Sequence, residues 1–497
     1  MPENCLQVLK NDKVGRYATA SKDLQAGDVV FEEEPFAYGP KSGHPPMCLG
    51  CYLPVDCSYL CSKCSWPVCN AQCQENATHA NNECKVFAES GAKFQTMADP
   101  TDICLQFECI TPLRVLLAME ANKQRWDSEV ACMQSHCEIR KSKPIWAFNQ
   151  NNVVEYLRGP CKLTRFSEEL IHRVCGILDV NSFEAHPSTG GYSIRCLYPN
   201  LAILSHNCVA NTTHTIFQDL KVQCRTSVPL KKDQELYSSY AYTILPTLVR
   251  RAYLEESKYF LCDCLRCKDA TELGTHLGTL KCSKCDNGVL ISTEPLNFEA
   301  EWKCTHCDFR TKATAVRRVY EAIQMELDNV DANVEEPAEA IEARETLYRK
   351  YRSVMHPRNA YHTMLRLSLA QMYGKLDGYI IEDLPDLLLE RKVELCMQIL
   401  ENLDVIEPGY TRTRGLILYE LHAPLILIAK NLYKNAVITK EELKRKLNEA
   451  AEKLEEAVKI LCLEPEYTQE GMLGRNAKPA LERIKESFFD EILNADL

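Results

Sequence analysis

The sequence predicts an α+β fold in which small metal-held modules interrupt the first part of the chain and an all-α helical array closes it. Two observations carry this reading. Sixteen cysteine and histidine residues between Cys48 and Cys307 fall into groups with metal-ligand spacing, and beyond residue 313 apolar residues recur largely at helical intervals. The chain has 497 residues, 45% of them hydrophobic, enough for about two to four domains with buried cores.

Charge and targeting signals narrow the class. A formal net charge of −11 disfavours contact with a nucleic-acid backbone and favours basic peptides as partners. Residues 1–17 lack the apolar run of a signal peptide, and the most apolar later stretch, residues 416–432, is interrupted by Glu420, His422 and Lys430. A chain of the cytoplasm and nucleus with no membrane span is expected. In that reducing setting, 27 cysteines clustered in C-x-x-C pairs point to thiolate-bound zinc rather than disulfides.

The first ligand group reads Cys48-x2-Cys51, Cys61-x2-Cys64, Cys69-x3-Cys73 and His79-x4-Cys84, eight ligands and therefore two zinc ions. The segment is short and carries Pro54 and Pro67, so it should draw its stability from metal, on the order of 10 kcal/mol per structural zinc. Lys63 is its one basic residue against Asp56, Glu75 and Glu83, so direct DNA binding is not expected. The order resembles the MYND finger. That resemblance implies alternate sharing, with Cys48, Cys51, Cys69 and Cys73 on one ion, Cys61, Cys64, His79 and Cys84 on the other, and Cys57 outside the pattern. It also implies docking of proline-containing peptides. His79-x4-Cys84 holds one residue more than the family pattern, and no tryptophan lies between Cys73 and His79, so a shifted last ligand loop is expected.

Two further groups follow. Cys262-x-Cys264-x2-Cys267 supplies three thiolates, one short of a tetrahedron, and Cys208 is the candidate fourth. Cys282-x2-Cys285 and Cys304-x2-Cys307 flank a stretch with Gly288, Pro295 and Trp302 and read as a zinc ribbon, two knuckles on one ion. Four zinc ions are expected in all. Protein ligands fill every site, so the metals are structural and any chemistry lies between them.

Between the metal groups, residues 197–211 form a short apolar run ending in the turn Leu204-Ser205-His206-Asn207-Cys208, and residues 235–242 carry Tyr237, Tyr240 and Tyr242. With Phe260 and the cysteine triad after it, these segments resemble the SET domain, in which an N-H-S-C-x-P-N segment and a tyrosine strand cross near the active site. The order of parts runs from Gly15-Arg16 through the finger, a helical insert, Asn181-Ser182-Phe183, the histidine segment and the tyrosine strand to the post-SET cysteines. It resembles the SET-and-MYND family of protein-lysine methyltransferases, and the added ribbon resembles that family's arthropod branch. The implied fold is a small-sheet SET domain split by finger and insert. Its expected divisions are 1–47 for the N-terminal SET part, 48–84 for the finger, 85–175 for the insert and 176–245 for the SET core. The post-SET zinc site takes 246–270, the ribbon 271–312 and a helical, tetratricopeptide-like domain 313–497.

The resemblance implies S-adenosylmethionine as cofactor, held by Gly15, Arg16, Tyr17, Asn181, Leu204, Ser205, His206, Tyr240 and Phe260, with Tyr240 catalytic and Cys208 completing the post-SET zinc. A neutral lysine amine would attack the sulfonium methyl in line, which needs alignment and desolvation rather than metal. The chain departs from the family in three places: Tyr17 replaces the second glycine of G-x-G, Ser205 an asparagine and Ala210 a proline. A partly filled cofactor pocket is expected from Tyr17, and each lost polar contact should cost about 1–3 kcal/mol of binding.

Helical spacing marks residues 113–119 and 166–174 as an insert that closes one side of the peptide groove. An acidic stretch at residues 326–339, with Pro337, is the expected boundary before the last domain. Thr439-x-x-Glu442 is a capping box opening a helix with Leu443, Leu447, Ala451, Leu454, Val458 and Leu461 on one face, stopped before Pro465. No thirty-four-residue period emerges, so an irregular array is expected, serving as a packing shell or a wall of the substrate cleft.

The function so implied is a protein-lysine N-methyltransferase acting on exposed lysines of protein substrates, histone tails among them, as a monomer. The alternative is a SET-and-MYND adaptor with weak or no transfer activity, acting in transcriptional regulation through protein contacts and motivated by Tyr17 and Ser205. A ubiquitin ligase of RING type fits poorly, because the pair spacing of the finger differs and the rest of the chain goes unexplained.

Overall fold

In the computed structural model, which describes residues 4–12, 14–333 and 336–486, β1 (Leu6–Asn11) and β2 (Gly15–Ala20) form an antiparallel hairpin. β3 (Val29–Glu33) and β4 (Ala37–Pro40) follow, and neither pairs locally. The finger then interrupts the chain, and α1 (Glu83–Ser90), α2 (Ile110–Ala121) and α3 (Glu168–Asn181) form the body of the insert. Ser167 caps α3 by accepting from the Leu170 N–H at 3.2 Å, so the helix starts at Glu168. Its buried face, Ile171, Val174, Ile177 and Leu178, has the helical period. The helix runs through the expected 175/176 division, so the element that ends the insert also delivers Asn181.

Partners for the early strands arrive late. β5 (Ser182–Ala185) and β6 (Ile194–Leu197) build an antiparallel sheet in the order β4-β6-β5. After β7 (Ser205–His206), β8 (Thr212–Ile216) and β9 (Val222–Thr226) build a second, in the order β3-β9-β8. β10 (Tyr237–Ser238) pairs with β7 in parallel. Sheets this small are marginal alone, and they share one core with finger and insert, where Phe31, Leu197 and Val222 pack with Met47, Trp66 and Leu116. The apolar material that the finger lacks comes from the insert. Trp66, fully buried, stacks on Phe87 of α1 at 4.2 Å, meets Phe94 and Phe107, and donates its indole N–H to Ala92 O at 2.9 Å.

α4 (Thr247–Lys258) leads through the post-SET cysteines to the ribbon. There β11 (Leu280–Lys281), β12 (Val289–Ser292), β13 (Trp302–Cys304) and β14 (Arg310–Thr311) pair antiparallel in chain order. The array follows as α5 (Ala313–Asn333), α6 (Pro337–Tyr351), α7 (Ala360–Met372), α8 (Asp386–Ile406), α9 (Arg412–Lys434), α10 (Lys440–Leu461) and α11 (Gln469–Glu486), each packed on the next. The described residues of the acidic stretch lie mostly in α5 and the start of α6, with Pro337 in the first turn of α6, where its missing N–H is harmless.

α9 is long and apolar enough by composition to cross a membrane, and 56% of its most apolar window is buried in the array. The predicted capping box opens α10: Thr439 Oγ1 accepts from the Glu442 N–H at 3.2 Å while the Glu442 carboxylate accepts from the Thr439 N–H at 2.9 Å. Leu443, Leu454 and Leu461 on its predicted face are fully buried. The array docks on the SET core where Tyr410 N–H donates to Ser227 O at 2.7 Å and the Tyr467 hydroxyl accepts from the Gln218 N–H at 2.8 Å.

Candidate functional site

The four predicted tetrads all form, with the ligand atoms of each within 4.8 Å of one another, a spacing that one tetrahedral zinc can bridge. Three of the donor sets are all-thiolate and the fourth combines three thiolates with an imidazole, and each can hold a zinc ion. In the finger the alternate pairing is the observed one: Cys48, Cys51, Cys69 and Cys73 in a partly exposed tetrad, Cys61, Cys64, His79 and Cys84 in a buried one. The extra residue of the last ligand pair is taken up at Asn81 and Asn82, between the turn Ala77–Ala80 and α1.

The buried tetrad is fixed from behind. His79 Nε2 lies 3.5 Å from Cys64 Sγ, and Nδ1 is 2.8 Å from Glu83 Oε1. Glu83 is fully buried and accepts from Arg114 Nε and Nη2 at 2.7 and 2.8 Å. Burial alone would raise this carboxyl, but Arg114 and His79 outweigh it and hold it below the usual glutamate range. A carboxylate on the outer nitrogen of a ligating histidine sets its tautomer and ring orientation. Arg114, from α2, also donates to Tyr52 Oη at 2.6 Å and Leu49 O at 3.2 Å, so one guanidinium joins the insert to both halves of the finger. The spacing of His79 and Glu83 is visible in sequence; Arg114 reaches them only through the fold.

In the post-SET tetrad, Cys208 joins Cys262, Cys264 and Cys267 as expected. Four thiolates on a divalent ion leave a net charge near −2, and the chain answers with buried arginines. Arg250 of α4, fully buried, donates Nε–H to Cys208 Sγ at 2.9 Å and lies 3.2 Å from Glu272, which also accepts from Arg266 Nε at 3.0 Å. In the ribbon, Gly288 is required by contact: a Cβ there would lie 2.1 Å from Cys304 Sγ and 2.8 Å from Cys285 Sγ.

The segment carrying Ser205, His206 and Cys208 crosses the tyrosine segment next to this tetrad. Ser205 and His206 pair with Tyr237 and Ser238. The Tyr240 N–H donates to His206 Nδ1 at 3.0 Å, which places the ring proton on Nε2, 3.3 Å from Cys208 Sγ. Both nitrogens of His206 thus serve the crossing, and its ring contributes a face rather than a hydrogen bond. The Tyr240 hydroxyl donates to Leu204 O, and burial pushes it up to about 12, so it stays a neutral phenol. Phe260 stands edge-on to Tyr240 at 6.4 Å and 90°, and to His206 at 5.7 Å.

Lys258, which sequence reading missed, lies 5.8 Å above the Tyr240 ring and donates to Val180 O, tying the end of α4 to the end of α3. Burial pushes its ammonium below the usual lysine range against the pull of Asp179. Asn181 is therefore close by, with its amide donating to Gln134 O and Ile177 O at 2.9 Å. Arg16 Nη2 donates to Glu129 O at 3.2 Å, and Tyr17 pairs with Leu9 in the hairpin. The Ser205 hydroxyl makes no hydrogen bond among the described residues.

A cleft of about 240 Å³ opens beside the tyrosine segment, between residues 210–243 and the array. Ser238, Ser239, Thr243 and His214 line one wall, Glu407, Tyr410 and Arg412 the other. Ser238 and Ser239 of the cleft wall lead directly into Tyr240 of the aromatic cluster.

No family model matches the chain. SET domain-containing protein SmydA-8, isoform A, of Drosophila melanogaster is 29% identical over 309 residues, 59% of this chain and 63% of that protein. The chain is similar to SET-and-MYND proteins over 51% to 59% of its length. Further members and SET relatives are similar at lower identity. Histone-lysine N-methyltransferase ASHR1 of Arabidopsis thaliana is 24% identical over 61% of this chain and 65% of its own length. N-lysine methyltransferase SMYD2-B of Danio rerio is 24% identical over 51% and 58%. The chain thus spans less than two thirds of the length of these SET-and-MYND relatives. A solved SET domain of LSMT bound to lysine and AdoHcy covers 99% of this chain at 12% identity with a TM-score of 0.32, too loose a likeness to carry an argument.

Proposed function

We propose that the chain is a protein-lysine N-methyltransferase that uses S-adenosylmethionine, with the target lysine entering through the cleft and the methyl donor on the aromatic side. The observation that carries this is Tyr240, whose hydroxyl is anchored on Leu204 O and which follows Ser238 and Ser239 of the cleft wall in the chain. The residues fit the donor in kind: Lys258 lies over the Tyr240 ring, so Phe260, set at 90° to it, would offer the aromatic face to a cation, and the Asn181 amide oxygen and the second lone pair of Leu204 O would add polar contacts. Bound there, the cofactor supplies a methyl group on a positively charged sulfur. The rest is the work of the chain's own groups. Because the phenol proton points at Leu204 O, its lone pairs are left for the N–H of an incoming neutral amine, which orients the nitrogen lone pair toward the methyl carbon. Glu407, held by the Thr243 hydroxyl on the cleft wall, attracts a lysine side chain on its way in.

The test is radiometric methyl transfer to a lysine-rich protein substrate by zinc-loaded protein. Tyr240→Phe should lower the rate by about 10²-fold or more with cofactor binding retained; full activity in that variant sinks the assignment. A second reading, an adaptor without turnover, rests on Tyr17 and on the Ser205 hydroxyl, unpartnered among the described residues. Calorimetry with S-adenosylmethionine separates the two, since an adaptor with a filled pocket gives no heat. We also propose the partly exposed finger tetrad, with Tyr59 beside it 40% exposed, as the face for proline-containing peptides.

A further inference from the structure

A second cavity, of about 440 Å³, lies between the ribbon and α6, α7 and α8. Its cations are Lys281 of β11, Arg349 and Arg352 at the end of α6, Arg366 of α7 and Arg391 of α8. The two carboxylates in its lining, Glu345 and Glu394, are both held by Arg391, at 3.0 and 2.9 Å. Lys281, Arg349, Arg352 and Arg366 have no carboxylate within ion-pair distance among the described residues, in a chain whose net charge is −11.

This is more than a solvated basic face, because its inner end is buried. Arg366 is 1% exposed; Nη2 donates to Tyr348 Oη at 2.9 Å and to Pro357 O, while Nε and Nη1 make no hydrogen bond among the described residues. His362, also 1% exposed, lines the same cavity with its Nε2 unpartnered among those residues. Buried guanidinium groups are ordinarily paired, and an unpaired one at the bottom of a cavity calls for an anion. Nε and Nη1 are the two nitrogens of Arg366 left to donate a charge-assisted hydrogen bond to an oxyanion, Nη2 being held by Tyr348 and Pro357.

We propose that this cavity binds a small phosphate-bearing molecule, a phosphoryl oxygen accepting from an unpartnered N–H of Arg366 and the remaining charge balanced by Lys281, Arg349 and Arg352 at the mouth. The cation count favours phosphate over a carboxylate, since a phosphate monoester carries about −1.5 to −2 at neutral pH. The volume suits one small molecule rather than a folded segment. With Lys281 from the ribbon and the arginines from the array, the ligand would bridge the two, at a site separate from the methyl-transfer centre.

The experiment is thermal denaturation and calorimetric titration of the zinc-loaded full chain with inorganic phosphate, pyrophosphate and glucose 6-phosphate, against sodium chloride at matched ionic strength. Saturable binding and a rise in Tm of about a few degrees are expected. Binding should fall tenfold or more in Arg366→Met and in the rim variant Lys281→Glu/Arg352→Glu. The rim variant decides the matter if Arg366→Met fails to fold. Responses no larger than that of chloride would overturn the proposal and leave Arg366 a water-bridged structural arginine. Binding unaltered in the rim variant, or confined to a single-stranded RNA probe, would overturn it as well.

Discussion

Replacing Glu83 by alanine tests how the finger is held. The substitution removes two charge-assisted hydrogen bonds to Arg114, at 2.7 and 2.8 Å, and the 2.8 Å contact to His79 Nδ1. At about 1.5–3 kcal/mol for each bond to a charged group, the first two sum to roughly 3–6 kcal/mol. The known cost of stranding one partner of a buried ion pair, about 3–5 kcal/mol, agrees. Tyr52 Oη and Leu49 O still receive Arg114, so the lower half of that range is expected. Losing the carboxylate behind a histidine ligand typically weakens metal binding by about 10–100-fold. In a chelator competition that counts zinc released per chain, one equivalent of four should therefore leave early, while the post-SET and ribbon sites keep wild-type rates. Release of all equivalents at the wild-type rate, with an unchanged Tm, would refute the claim that Glu83 and Arg114 lock the buried tetrad.

Gly288→Ala should bring zinc content from four to three, because the added methyl would sit 2.1 Å from Cys304 Sγ; a full complement by metal analysis would show that the knuckle can open. Arg250→Met strips a buried donor from Cys208 Sγ and should destabilise the chain by about 3–5 kcal/mol with faster loss of the post-SET zinc, read by urea denaturation and chelator kinetics; an unchanged midpoint counts against its charge-balancing role. His356 and His362 are pushed down to about 4, mainly by burial, so the unfolded chain binds more protons between that value and about 6.5. Stability should then be intact above pH 6.5 and fall as pH drops toward 4, and His362→Gln should flatten that limb in a Tm-against-pH series; an equally steep limb excludes it as a contributor.

What could be read from sequence followed from how local the constraint is. Sixteen zinc ligands were legible because a tetrahedron ties residues a few positions apart, and the same is true of the Thr439 and Glu442 box. Cys208 was found because three thiolates demand a fourth. Arg114, Arg250 and Lys258 gave no signal: each acts on a partner brought to it by packing, and an arginine or lysine in a helix reads as surface until its neighbours are known. The helix that crosses the division at 175/176 was hidden for a related reason, since composition changes there while the hydrogen-bonded helix continues to Asn181. The sequence gives no sign that the ring nitrogens of His206 face Tyr240 and Cys208, since the orientation of the ring is set by the fold.

The pairing of β3 with β9 has a consequence for the order of assembly on the ribosome. Val29 and Glu33 wait for Arg225 and Val222, and the crossing at His206 cannot be clamped until Cys267 has been made. At roughly 5–20 residues per second, β3 and β4 stand unpaired for on the order of ten seconds or more after they emerge. The finger tetrads, complete by Cys84, can load zinc during that interval and compact the nascent chain while its sheets are still open. Zinc supply during synthesis would then set how much of this protein reaches a closed core, and scarcity would appear as aggregation of new chains rather than inactivity of old ones.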